Sequence, residues 1–316
     1  MKKPLIILTG PTAAGKTKLS IALAKAIHGE IISADSMQVY RYMDIGSAKI
    51  RPEEMEGVPH YLVDILEPTE AFNVVQFQEM ATQAIRQIYA NGHIPILTGG
   101  TGFYIQAVLY DIQFETTPVN TAFRQELQLA AKKNGAQYLH DQLQKVDPRS
   151  ASEIHANNVK RVVRALEYFH QTGQPISEHN EKERTRESPY NFAYFVLNDE
   201  RGHLYEKIDR RVDDMMKCGL LEEVQSLKRR GYTREMVSMQ GLGYKELLAY
   251  LEGECSLEEA VRMIKRDTRH FAKRQLTWFR RERDVIWIEQ DTLQYDTGQI
   301  LDKVLDACHK RGVTLL

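Results

Sequence analysis

Leu5-Ile6-Ile7-Leu8-Thr9-Gly10-Pro11-Thr12-Ala13-Ala14-Gly15-Lys16-Thr17 joins an apolar run to a glycine-bounded octet and then to a segment of helical spacing. The octet from Gly10 reads Gly, four residues, Gly-Lys-Thr, which is the phosphate-loop pattern. Four apolar residues bounded by turn residues suit a buried parallel strand. Beyond the loop, Leu19, Leu23 and Ile27 fall four apart with Ala22 and Ala26 beside them, predicting a helix over 16–28. In that setting the loop amides converge on phosphate oxygens, the helix amino terminus adds a favourable field, and Lys16 brings a mobile positive charge. The candidate phosphate contacts are therefore Gly10, Thr12, Ala13, Ala14, Gly15, Lys16 and Thr17, with the Thr17 hydroxyl placed to meet Mg²⁺.

Further strands are predicted at 31–34, 61–65, 94–97, 192–197 and 285–288, with a helix over 73–89 between the second and third of these runs. Pro95 implies that its strand is met near the start or at a sheet edge. Strands and helices in alternation give an α/β fold, a P-loop NTPase-like parallel sheet flanked by helices, with ligands at the carboxyl ends of the strands. From about Thr117 the texture turns helical, at 122–132, 136–145 and 155–171, and the hydrophilic tract 178–188 reads as a solvated loop. The chain divides accordingly into a catalytic core, 1–117 plus 191–316, and a helical insertion domain, 118–190. The last third is mostly helical, at 204–217, 220–230, 244–250, 257–280 and 300–309.

Composition limits the classes. Hydrophobic residues make up 42% and charged residues 27%, so the chain can build a core and is not disordered. Forty-two Lys and Arg against forty-three Asp and Glu exclude a simple polycation, although a local basic face suffices for a nucleic-acid partner. Three widely spaced cysteines offer neither a disulfide framework nor a zinc site, and no signal peptide or membrane span is apparent; a cytoplasmic protein is expected.

The phosphate loop does not name a substrate, since it serves ATPases, GTPases, small-molecule kinases and a pyrophosphate leaving group equally. Asp35, at the end of the second strand, could hold Mg²⁺ indirectly, contact a substrate hydroxyl or act as a base. Gly99-Gly100-Thr101-Gly102 is another glycine-rich turn at the same sheet edge. Residues 262–284 carry nine Lys or Arg against three Asp or Glu, and positions 262, 266, 269 and 273 trace one helical face suited to a phosphate track.

Several blocks together resemble the tRNA dimethylallyltransferases: Gly10 to Thr17, Asp35-Ser36-Met37-Gln38-Val39-Tyr40 and Gly99-Gly100-Thr101-Gly102-Phe103-Tyr104. The likeness continues at Asp147-Pro148, Arg161, Arg164-Ala165-Leu166-Glu167, Ile208, Arg211-Val212, Ala272-Lys273-Arg274-Gln275 and Thr277-Trp278-Phe279-Arg280. The resemblance implies transfer of the dimethylallyl group of dimethylallyl diphosphate to N6 of adenosine 37 in tRNA, with Mg²⁺ assisting release of diphosphate. It makes Asp35 the general base, Thr101 a contact near the reacting centre, and Arg211 a cationic clamp beside Lys16 and Thr17. Ser36, Met37 and Gln38 then line the adenosine pocket. Arg124, Asn158, Val159, Lys160, Arg161, Val162, Val163 and Arg164, together with Lys273, Arg274 and Gln275, fall in regions that meet the tRNA anticodon stem-loop. The family carries no obligate protein partner and no membrane association. One departure is Lys207, where the family commonly has Arg; lysine keeps the charge but not the planar fork. His60 and His155 match family-like segments and read as structural or hydrogen-bonding residues.

Overall fold

The apolar runs become the strands of a single sheet in which every pairing is parallel. The computed structural model describes residues 2–114 and 121–313. Its strands are β1 (Lys3–Thr9), β2 (Gly29–Ala34), β3 (His60–Tyr61), β4 (Ile94–Gly99), β5 (Tyr190–Asn198) and β6 (Val285–Glu289). Their order across the sheet is β3-β2-β4-β1-β5-β6. β1, β2 and β4 are almost wholly buried, as sheets covered on both faces require. Pro95 is the second residue of β4, an internal strand, so the missing donor is accommodated at the strand's start and not at an edge. The strand predicted over 61–65 stops at Tyr61, because Leu62 and Asp64 take left-handed backbone (φ 62° each) that no ladder can include.

The amino-terminal helices are α1 (Lys16–Ile27), α2 (Val74–Ala90) and α3 (Gly102–Leu109). One face of the sheet, including Ile6, Leu8, Ile96 and Phe195, packs on Leu19, Leu23 and Ile27 of α1. Asn73 begins α2 with a capping box: its side chain accepts from the Val75 and Gln76 amides while Gln76 reaches back to the Asn73 amide.

Chain contacts separate two compact units, Met1–Asp111 with Pro189–Leu316 and Ile112–Ser188. The inserted unit thus starts at 112 and ends at 188, against 118 and 190 read from the sequence; residues 115–120 lie outside the described ones. It contains α4 (Thr121–Asn134), α5 (Ala136–Val146), α6 (Pro148–Glu153), α7 (Val159–Thr172) and α8 (Ile176–Arg184) around its own core of Leu127, Leu139, Leu143, Val162, Val163 and Leu166. α6 was hidden behind Pro148, which at a first helical position costs nothing, and buried Asp147 caps it through the Ser150 amide at 2.9 Å. The predicted loop 178–188 is instead mostly α8, and the helix predicted from His155 begins only at Val159, after a turn.

The larger unit continues with α9 (Arg201–Lys217), α10 (Leu220–Arg229), α11 (Tyr244–Leu251), α12 (Leu257–Phe279) and α13 (Thr297–Lys310). Ile300, Val304 and Cys308 of α13 join the core beside α1. Among the described residues no helix is long and apolar enough to cross a membrane.

A buried carboxylate closes the amino-terminal edge of the sheet. Glu30 of β2 accepts from Tyr61 Oη (2.6 Å) and Asn91 Nδ2 (3.1 Å) and lies 2.5 Å from His93 Nδ1. Burial pushes this carboxyl up, but the three hydrogen bonds and the histidine charge together outweigh it and hold it below the ordinary glutamate value. A carboxyl held low in the folded state stabilises it above its unfolded pKa and loses that contribution as pH falls through the folded value. Glu30→Gln is expected to lower stability by about 1–3 kcal/mol at neutral pH in urea unfolding. The gap from the unaltered protein should narrow as pH falls through and below the ordinary value of 4.5.

Candidate active site

The loop between β1 and α1 folds as the glycines permit, with Gly15 left-handed (φ 84°) where α1 begins. Ala13 packs toward Leu204, Ile208 and Ala272 of α9 and α12, and Ala14 is buried in the core. Lys16 Nζ donates to the carbonyls of Gly10 (3.1 Å) and Pro11 (2.8 Å), and the Arg211 guanidinium on α9 lies 3.5 Å from the Thr12 hydroxyl. Burial pushes the Lys16 ammonium down to about 8, the charge of Arg211 pushes the same way, and Asp35 partly offsets both. Arg211 is lowered by burial and likewise supported by Asp35. Two desolvated cations and one carboxylate therefore act on one another across the loop. Thr17 lies exposed in the first turn of α1.

Strand register places the partners of this loop. Thr9, Gly99 and Ala34 are aligned across β1, β4 and β2, so the residues that follow, Gly10, Gly100 and Asp35, leave the sheet side by side. Two strand spacings separate Asp35 from the phosphate loop, about 10 Å of backbone distance in which a substrate can sit. Asp35 Oδ1 accepts from the amides of Met37 (2.8 Å) and Gln38 (3.4 Å), which orients the carboxylate. Thr101, the residue before α3, donates its amide to the Ala34 carbonyl at 3.2 Å and so stands next to Asp35. Ser36 and Met37 are half-buried in the same turn, Met37 against Gly241 just before α11. The Gln38 carboxamide is used inside the loop, accepting from Ser33 Oγ (3.0 Å) and approaching the Ser47 and Ala48 carbonyls.

Gln275 is placed differently from the RNA contact that the sequence suggested. It is buried, with Oε1 accepting the Thr12 amide (2.9 Å) and Nε2 donating to the Gly100 carbonyl (3.0 Å), so it fastens the phosphate loop to the turn after β4. A methyl group on Gly100 would overlap that amide nitrogen, which is why the turn needs glycine there. The signal was present in the sequence: Ala260, Ile264, Ala272, Gln275 and Phe279 recur on the buried face of α12, opposite the basic one. Lys273 and Arg274 are exposed. Much of the predicted basic track is neutralised, however, because Arg262 pairs with Glu259, Lys265 with Asp213, Arg266 with Asp267 and Arg269 with Asp209.

Within the inserted unit, Asn158, Lys160 and Arg161 are exposed at the start of α7, with Val159 half-buried beside them. Val162 and Val163 cannot offer side chains to an RNA surface, since both belong to the unit's hydrophobic core. Arg124 and Arg164 are both tied to the buried Glu167, at 2.5 and 3.1 Å, which makes them parts of an internal ion-pair group as well as surface cations. Lys207 pairs with buried Asp199 at 3.0 Å, on the same helix as Arg211. His60 Nδ1 lies 2.8 Å from the Val58 carbonyl and His155 Nδ1 takes the Asn157 amide. Among the described residues no three His, Cys, Asp or Glu side chains group as a metal site.

A phosphate loop with two half-buried cations, faced by an oriented carboxylate at the end of a strand two places away in the sheet, defines a P-loop-like α/β protein with an anion site opposite a carboxylate. The sequence profile of the family described as IPP transferase matches residues 38–282. The chain belongs to that family. It is 63% identical over 302 residues to a tRNA dimethylallyltransferase of Lachnoclostridium phytofermentans, covering 96% of each chain. It is 49% identical to one of Acetivibrio thermocellus, over 92% of this chain and 93% of that one. The crystal structure of the full-length tRNA isopentenylpyrophosphate transferase of Bacillus halodurans superposes with a TM-score of 0.73 at 44% identity, covering 98% of both chains. A eukaryotic dimethylallyltransferase solved acting on tRNA gives 0.81 at 30% identity, over 96% of this chain and 78% of that one.

The depressed Lys16 has a measurable consequence. Affinity for inorganic diphosphate is expected to respond to the loss of the Lys16 charge as pH rises through about 8. Lys16→Gln should bind roughly tenfold or more weakly at neutral pH. In calorimetric titrations the advantage of the unaltered protein over the variant should shrink above that pH.

Proposed function

We propose that this protein transfers the dimethylallyl group of dimethylallyl diphosphate to the exocyclic N6 of adenosine 37 in tRNA, releasing diphosphate. The names of relatives 63% and 49% identical over nearly the whole chain support the reaction class. The observation that carries the mechanism is the register that sets Asp35, at the end of β2, two strands from the phosphate loop after β1, where Lys16 and Arg211 lie and where its charge partly offsets theirs.

An aromatic exocyclic amine is a weak nucleophile because its lone pair is delocalised into the ring, so alignment and a proton acceptor both matter. The new bond joins N6 to the allylic carbon as the bond from that carbon to the diphosphate oxygen breaks. The electron pair leaves with diphosphate, and Asp35 takes the N6 proton, which becomes acidic only as alkylation proceeds. Lys16, Arg211 and the loop amides receive the charge building on the leaving group. Thr101 stands beside Asp35, where it can contact the acceptor, and Ser36 and Met37 with the backbone shaped by Gln38 form the wall of the adenosine pocket. An adenine stacked in a loop must be turned out to reach such a site.

Mg²⁺ fits the donor set present. It keeps several waters and is commonly bound through substrate phosphates with one or two protein oxygens, and the exposed Thr17 hydroxyl is one such oxygen. There it would supply charge neutralisation to the departing diphosphate. The cytoplasm, where tRNA resides, is the expected compartment, with no membrane partner.

The decisive test is incubation with tRNA carrying unmodified adenosine 37, dimethylallyl diphosphate and Mg²⁺, followed by nucleoside mass analysis. N6-isopentenyladenosine is the expected product, and ATP consumption with a free nucleoside in its place would make the protein a kinase. Asp35→Ala should reduce transfer by about 10²–10⁴-fold with tRNA affinity retained. Lys160→Ala with Arg161→Ala, which spares the Glu167 ion pairs, should weaken tRNA capture and reduce the slope of log affinity against log salt by about one to two. An unchanged slope would remove the start of α7 from the tRNA surface.

A further inference from the structure

The loop that carries Asp35 is held from a helix almost two hundred residues further along the chain. Glu223, on α10, receives four donors: Oε2 accepts the amides of Asp44 (2.9 Å) and Ile45 (2.7 Å), while Oε1 accepts the Gly46 amide (3.1 Å) and the Tyr244 hydroxyl (2.8 Å). Three successive amides turned to one point form an anion nest, here filled by the protein's own carboxylate. The fit requires glycine at 46, since a Cβ there would come within 2.5 Å of the Tyr244 ring. From this anchor a run of hydrogen bonds leads back to the site. The Ser47 and Ala48 carbonyls meet Gln38 Nε2 at 3.4 and 3.3 Å, Gln38 Oε1 accepts from Ser33, and the Gln38 and Met37 amides orient Asp35. Lys49, with a nearly buried side chain, ties the same loop at the Tyr40 carbonyl and Asp44.

We propose that Glu223, supported by Tyr244, is a positioning residue for transfer: it fixes the acceptor side of the site by clamping the loop 35–48 and touches neither substrate. The proposal rests on the reading of Asp35 as the proton acceptor. The phosphate loop is fastened separately, by Gln275, so loss of the Glu223 clamp should act on turnover and leave donor binding alone. A Glu that merely stabilised the fold would lower the melting temperature without changing kcat of the folded enzyme.

The test compares full-length Glu223→Ala, Glu223→Gln, Tyr244→Phe and Asp35→Ala by steady-state kinetics, thermal melting and amide hydrogen exchange. Glu223→Ala is expected to lose about 100-fold in kcat, the effect of a misplacement near 1 Å, with the KM for dimethylallyl diphosphate unchanged. The amides of residues 44–46 should exchange faster while those of the phosphate loop keep their protection. Glu223→Gln, whose amide oxygen can still take two of the N–H donors, should recover part of the loss. An unaltered kcat in folded Glu223→Ala, or in Glu223→Gln and Tyr244→Phe together should the alanine variant not fold, overturns the proposal, as does a fall in kcat without faster exchange at 44–46. If Asp35→Ala abolishes transfer while the Glu223 variants keep it, the clamp alone falls; if Asp35→Ala keeps transfer, both roles fall.

Discussion

One carboxamide joins the two halves of the site. Gln275 reaches from α12 to the Thr12 amide with its oxygen and to the Gly100 carbonyl with its nitrogen, and it does so buried, where an unpaired amide or carbonyl is costly. The phosphate loop and the turn carrying Thr101 therefore cannot drift independently. Because Thr101 is bonded in turn to the Ala34 carbonyl, the same constraint extends to the residue that precedes Asp35. Three strand ends aligned by register, and one side chain laid across two of them, are enough to hold the phosphate loop opposite the Asp35 carboxylate.

Charge is treated in opposite ways in two parts of the larger unit. Along α12 and α9, cations meet local carboxylates: Lys265 with Asp213 and Arg269 with Asp209. At the phosphate loop, Lys16 and Arg211 repel each other in a desolvated setting, with Asp35 partly offsetting them. Such an arrangement costs stability in the absence of an anion and is characteristic of a binding site, where the missing countercharge arrives with the ligand. The near-neutral total charge of the chain conceals this unevenness.

What the sequence showed, it showed through periodicity and local chemistry. The phosphate loop, the strand runs and the long helices follow from spacing that burial enforces, and Asp35 follows from its place at the end of a strand. What it hid was of three kinds. α6 opens on a proline that reads as punctuation, and α8 lacks an apolar stripe in Ile176 to Arg184, so neither carries a helical signature of its own. The predicted third strand was cut short at Tyr61 by backbone angles at Leu62 and Asp64 that residue type does not announce. Gln275, Val162 and Val163 turn their side chains inward, and motif resemblance marks position in the chain and not the direction a side chain points. Glu223 lay beyond reach for another reason: three of its four partners are backbone amides, and amides leave no trace in a sequence.

The resting place of Lys16 has a consequence for how a ligand arrives. Its ammonium already lies on two carbonyl oxygens of its own loop, and the half-buried side chain has given up part of its water. An anionic ligand reaching this loop would have less of a hydration shell to strip from the cation. It would exchange neutral oxygens for ionised ones at a head group whose solvation cost was met in part when the chain folded.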